Sequence, residues 1–146
     1  MMKSSATTNT GFPADLAMVI DSSALIAILL NEAERERFLD LILEAESRLL
    51  SAATAVEAEI VLEYRSSPIA IREFDLFLHQ AGIEVVSFDA NQADRARIAY
   101  RKYGKGRHPA ALNFGDCFTH ALASVSGEPV LAKGNEFERA GLDVCK

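Results

Sequence analysis

At 146 residues the chain is long enough for one domain with a substantial core. Apolar residues make up 49% of it and charged residues 25%, the balance of a globular protein rather than of a disordered or membrane-embedded one. A formal charge of −6 excludes a generic basic nucleic-acid binder, so a nucleic-acid partner would need a local basic patch or a bound cation to approach the surface.

The chain begins with "MMKSSATTNTGFPA", polar and without periodicity, and residues 1–17 read as a disordered extension to a domain spanning 18–146. "LAMVI" (16–20) is a short run of the buried-strand type, and "SSALIAILLN" starts a helix directly after Asp21. Together they do not form a membrane span. Asp21 interrupts the stretch at a cost of about 2.5–3.5 kcal/mol on insertion scales, and the apolar run after it is too short to cross. "NEAERERFLDLILEAES" reads as a second helix, "RLLSAA" (48–53) as a strand, and "TAVEAEIVLEYR" as a helix opened by Thr54. Pro68 suits the first turn of "PIAIREFDLFLHQAG", a helix that Gly82 ends. "IEVVSF" (83–88) is the clearest strand; a helix capped by Asp89 and the loop "KGRHPAALNFG" follow it. Asp116 then opens a helix whose apolar face is expected at Phe118, Ala121, Leu122 and Val125. A last parallel strand "PVLAK", a helical turn "NEFERAG" and an edge strand "LDVC" complete the reading. Strands alternating with helices define an α/β fold with a mostly parallel sheet and helices on both faces, in which ligands bind beyond the carboxyl ends of the strands. Cys117 and Cys145 form no CxxC and no zinc pattern, so the chain is expected to be cytoplasmic and reduced, with Cys117 filling core.

Acidic residues collect at those strand ends. Asp21 follows the first strand, and Asp116 heads a helix leading to another. Glu57 shares the i, i+3, i+4, i+7 face of its helix with Ile60, Val61 and Tyr64 and so points to the apolar side, while Glu59 and Glu63, an i, i+4 like-charge pair, belong in solvent. A fourth position follows the last parallel strand in "KGNEF", at Asn135 or Glu136. Helix capping accounts for Asp21 or Asp116 taken singly. Taken together the carboxylates conflict, because two of them about 4 Å apart repel by roughly 4 kcal/mol at an effective dielectric near 20. A divalent cation resolves that conflict, and an all-oxygen set suits Mg²⁺ or Mn²⁺. Such ions act chiefly on phosphates, activating water for in-line attack. No GxSxG elbow, P-loop or HExxH competes, and His120, one turn after Asp116, reads as a core or helix-surface histidine rather than a ligand.

These stretches resemble a known family. "MVIDSSALIAILLNE", "LSAATAVEAEIVL", "GIEVVSFD", "YGKGRHPAALNFGDCFTHALA" and "EPVLAKGNEF" are similar, in order and over 18–146, to VapC-like PIN-domain ribonucleases, the toxins of type II toxin–antitoxin pairs. The resemblance implies a PIN-like three-layer α/β/α fold and a Mg²⁺- or Mn²⁺-dependent endoribonuclease. It also implies a cognate antitoxin over the site and a homodimer within the toxin–antitoxin complex. It places Asp21, Glu57 and Asp116 at the three main catalytic and metal-binding positions, with "GNEF" departing from the usual adjacent aspartates at Asn135 and Glu136. Beside that site "RKYGKGRH" supplies Arg101, Lys102, Lys105, Arg107 and His108 for RNA phosphates, with Tyr100 and Tyr103 available for stacking. Two rivals remain. One is a phospho-receiver-like Mg²⁺-binding signalling module with Lys133 after the last strand, in which only Asp89 could accept the phosphoryl group. The other is a catalytically silent binding subunit.

Overall fold

The computed structural model describes residues 16–65 and 68–146. Strand β1 (Ala17–Ile20) leads into helix α1 (Ser22–Leu29) and then α2 (Arg35–Glu44). Strand β2 (Ser47–Ser51) leads into α3 (Ala52–Arg65) and α4 (Pro68–Gln80), and β3 (Ile83–Val86) into α5 (Ala90–Tyr103) and α6 (Phe114–Ser126). Strand β4 (Val130–Leu131) and α7 (Glu136–Arg139) close the chain. The four described strands form one sheet in the order β3-β2-β1-β4, and every pairing is parallel. From β1 the chain builds outward through β2 and β3, then returns to place β4 on the other side of β1. The order therefore reverses beside β1, which makes the cleft beyond its carboxyl end the place where α/β sheets bind ligands.

The period-2 alternation of the strands sorts side chains into two apolar layers. Met18, Ile20, Leu50, Ile83 and Leu131 pack with Leu25, Ile28, Phe38, Ile42, Leu62 and Phe74 of α1 to α4. Val19 and Val130 face the other way, onto Leu122, Ala123 and Phe137 of α6 and α7. A third cluster, around Ala96, Ala99, Leu112 and Cys117, joins α5 to α6. The result is the expected three-layer α/β/α arrangement.

Several boundaries differ from the sequence reading, each for a local reason. The extension read over 1–17 lies outside the described residues as far as 15, but Ala17 is already in β1 and the Leu16 carbonyl accepts from the Glu46 amide at 2.7 Å. Strand β2 ends at Ser51, whose hydroxyl accepts from the Ala53 amide at 3.3 Å and turns the chain into α3. Thr54 is consequently buried inside that helix and does not open it. The second helix is confined to 35–44, β3 stops at Val86, and "LDVC" contributes one bridge, Val144 to Val130. On α6 the expected apolar face is only partly buried. Ala121 and Leu122 are covered, but Val125 is 43% exposed, because the sheet and α5 together also bury Thr119, His120 and Ala123. Cys117 is a free, buried thiol as expected. Among the described residues no helix is long and apolar enough to cross a membrane.

Phe38 is the one ring of α2 that enters the first layer, and it is fully buried. Phe38→Ala is expected to cost about 3–5 kcal/mol, the range for aromatic truncation in a packed core, read as a lowered urea midpoint at unchanged slope.

Candidate active site

The site is built from the ends of elements that meet at the reversal point. Asp21 leaves β1 and its backbone N–H still reaches the sheet, donating to the Leu131 carbonyl at 3.0 Å. Its carboxylate is an N-cap: one oxygen accepts from the Ser23 amide at 3.0 Å. The other accepts from the Thr119 hydroxyl of α6 at 2.6 Å, and the residue is only 3% exposed. Thr119 in turn lies 3.4 Å from the Thr54 hydroxyl of α3. A buried chain of hydroxyls thus ties the ends of β1, α3 and α6 to one carboxylate. Sequence reasoning missed Thr119, although it stands three residues after Asp116 and therefore on the same helix face.

Asp116 also has a capping role. Asn113 caps α6, accepting from the Asp116 amide at 2.8 Å, while the Asp116 carboxylate accepts from the Asn113 amide at 2.9 Å, a reciprocal capping box. That bond uses one carboxylate oxygen. The acid is pushed from its ordinary 3.8 up to about 7, first by burial, against the lowering pull of the Asn113 amide, and then by the charges of Asp21, Glu136 and Glu57. A helix cap alone would hold a carboxylate in its charged form; three acidic neighbours from separate elements push the other way.

Glu57 reaches the same cluster by a route the expected helix face did not describe. The inward stripe of α3 runs through Thr54, Glu57, Ala58, Val61 and Leu62, with Leu62 fully buried, while Ile60 and Tyr64 are 47% and 89% exposed. Glu63 is exposed as expected, but Glu59 is half-buried. The Glu57 carboxylate lies against the backbone of Gly115: a Cβ on Gly115 would overlap it. Burial and the Asp21 charge raise its pKa, and the Ser22 hydroxyl opposes them. Its Oε1 is buried without a hydrogen-bond partner among the described residues.

At the fourth position the structure distinguishes the two alternatives. Glu136 is half-buried and adds to the charge on Asp116, whereas Asn135 is exposed and makes no capping bond. Among the described residues no three His, Cys, Asp or Glu side chains lie close enough together to hold an ion as they stand. His120 is a core residue, 8% exposed, with its ring nitrogens 3.5 Å from the Ala140 carbonyl and 3.3 Å from the Ser124 hydroxyl; burial lowers its pKa.

The basic segment divides. Arg101 and Arg107 line an open cavity beside the acidic cluster, joined by Arg97, which the sequence reading passed over. Lys102 and Lys105 are exposed but do not line it. Tyr100 is there for stacking, 40% exposed under the Arg107 guanidinium. Tyr103 is not: it is wedged between His108 and His120, its ring centroid 5.0 and 5.7 Å from theirs. The receiver reading has no support. Asp89 is an N-cap, accepting from the Gln92 amide at 2.9 Å, and the Lys133 ammonium is bound by Glu32 at 3.0 Å and Glu34 at 3.6 Å.

With this geometry in place, comparison with known proteins gives the class. A family model described as "PIN domain" matches residues 18–142, and the chain belongs to that family. It is 52% identical over 120 residues to "Ribonuclease VapC" of Mycolicibacterium smegmatis, an alignment covering 82% of this chain and 93% of that protein. It is 48% identical over 125 residues to "Ribonuclease VapC30" of Mycobacterium tuberculosis, covering 86% and 95%. The fold is shared with the sarcin–ricin-loop-cleaving toxin VapC20 of Mycobacterium tuberculosis at a TM-score of 0.74 and 16% identity, covering 88% of this chain and 98% of that one. It is also shared with the DNA-bound VapBC of Salmonella typhimurium at 0.65 and 20%, covering 90% and 97%.

The raised carboxyl of Asp116 has a stability consequence. Between its ordinary 3.8 and about 7 the folded chain holds a proton there that the unfolded chain does not, so stability is fully present at low pH and falls as pH rises through that window. In chelator the melting temperature of the full-length chain is expected to drop between about pH 4 and pH 7. Asp116→Asn, which keeps the capping acceptor and cannot ionise, should flatten that part of the profile.

Proposed function

We propose that this chain is a divalent-cation-dependent endoribonuclease, the toxin of a type II toxin–antitoxin pair. The observation that carries the reading is the state of Asp116: burial first, and then the carboxylates from the end of β1, from α7 and from α3, push its pKa to about 7. A globular domain gains nothing in stability from such an arrangement, which instead matches what a cation-binding site requires. The residues fit Mg²⁺ or Mn²⁺, because the donors are all oxygens and the buried Glu57 Oε1 has no other partner among the described residues. Asp21, Glu57 and Asp116 would hold the ion, with Glu136 at the edge and no role for Asn135. Once bound, it would activate water and stabilise charge on the phosphodiester.

The protein's own part is positional. The Ser23 amide and Thr119 hydroxyl hold Asp21 in one orientation, Gly115 leaves room for the Glu57 carboxylate, and the capping box fixes Asp116 on the first turn of α6. Arg101 and Arg107 give an acidic chain a cationic flank on which an RNA backbone can rest. The relatives named as ribonucleases support RNA as substrate. Solved toxin–antitoxin complexes with this fold, such as VapBC of Rickettsia felis bound to promoter DNA, support an antitoxin partner. A homodimer within such a complex, in the cytoplasm, completes the proposal.

Asp116→Asn and Gly115→Ala test it from two sides. Asparagine preserves the cap, so if capping were the whole role, cleavage would survive; loss of RNA cleavage in Mg²⁺ by about 100-fold or more, beyond what an outer-shell partner costs, is expected instead. Gly115→Ala exchanges a helical glycine for a better helix former, and the obstructed atoms are the end of a flexible side chain. Its stability should stay within about 1 kcal/mol of the parent, while displacement of Glu57 lowers cleavage by about tenfold or more.

A further inference from the structure

On the flank of the acidic cluster, α5, α6 and the first turn of α3 enclose an open cavity of about 830 Å³, within the range of ligand-binding clefts. Its wall is aromatic. Phe118 sits between Phe88 and Phe114, with ring centroids 5.0 and 4.8 Å away and both rings edge-on. Phe114 is 78% exposed, although it occupies the first turn of a helix whose other residues are largely covered. Tyr100 faces the same space from α5. The rim is cationic: Arg97, Arg101 and Arg107 line it, the last with its guanidinium 6.0 Å from the Tyr100 ring centre. Arg97 is paired with Asp94 at 2.5 Å, but Arg101 and Arg107 have no carboxylate partner among the described residues.

Exposed aromatic faces beside unpaired arginines, in a chain of charge −6, offer the two chemistries of a single RNA strand: flat apolar bases and anionic phosphates. The cavity is also continuous with the chemistry. Phe114, Cys117 and Phe118 flank Asp116 on α6, and Ala53 stands one turn before Glu57 on α3. Resting on the ribonuclease reading above, we propose that this cavity takes up one unstacked base of the RNA strand. The base stacks on Phe114 and Tyr100 while Arg101 and Arg107 hold the adjoining phosphates, and the cavity thereby selects where the strand is cut. Phe114 and Tyr100 are then specificity-determining residues.

The test uses the full-length chain in chelator, where RNA is bound without being cut. A fluorescent single-stranded oligoribonucleotide is compared with an abasic strand of equal length and charge. The base-bearing strand should bind about tenfold more tightly, the contribution of one stacked base. Phe114→Ala and Tyr100→Ala should erase that difference while leaving the salt dependence and the melting temperature in place, since both rings are exposed. Arg101→Ala should lower the log–log salt slope by about 0.7, one phosphate contact on a single strand. Equal affinity for the two strands would overturn the proposal. So would a Phe114→Ala variant that retains the difference but sediments as a smaller species, which would make this face a contact between copies. If RNA is still cut in Mg²⁺ while abasic and base-bearing strands bind alike, the base pocket alone fails. If the chain neither cuts nor binds any RNA, the ribonuclease reading fails with it.

Discussion

Like charge gathered at the end of β1 is the constraint around which the molecule is organised. Asp21, Glu57, Asp116 and Glu136 come from four elements that have no sequence proximity, and the packing of two apolar layers on one parallel sheet brings them to a single cleft. Repulsion of this kind, like the burial of the acids themselves, works against folding, so the surrounding layers must outweigh it. They do so with fully buried large side chains on both faces, among them Ile20, Leu50, Leu62 and Leu131 on one and Val19 on the other.

Capping and chemistry are not alternatives here. Asp21 and Asp116 each accept a backbone amide at a helix start, as an ordinary cap does. Because the cap fixes the carboxylate on rigid backbone, it also orients the oxygen that remains. The Thr119 hydroxyl extends that logic across the molecule, binding Asp21 from α6 and so linking the second turn of one helix to the end of a strand 98 residues away in sequence. Gly115 supplies the complementary condition, an absence of side chain where the Glu57 carboxylate lies.

The cationic flank answers the opposite problem. An anionic chain can approach a nucleic-acid backbone only where its charge is locally reversed, and the reversal falls at and just after the end of α5, where Arg101 lines the cavity and Arg107 stands over the Tyr100 ring. The relatives and solved structures share the fold across identities from 52% down to 13%. The scaffold thus tolerates extensive change in sequence.

What the sequence determined by itself was local and periodic. The order of strands and helices, the parallel sheet, the placement of Asp21 at a strand end and of Asp116 at a helix start, and the Asp89 cap all follow from short-range patterns that need no partner element. Tertiary structure decided whatever depended on which faces meet. Glu57 pointed inward, but through a stripe with Leu62 rather than with Ile60 and Tyr64, because the helix is covered by α1 and α4 on one side and by α6 on the other. Tyr103 packs half-buried against the α5–α6 cluster and Tyr100 faces the surface, although three residues on one helix separate them, since only the first is roofed by the loop carrying His108. Glu136 rather than Asn135 faces Asp116, because the helix it opens turns its first side chain toward the cleft. Thr119 could be placed on the Asp116 face by its spacing, but its bond to Asp21 and the room that Gly115 leaves for Glu57 exist only at distances set by the packing of α6 against α3 and β1.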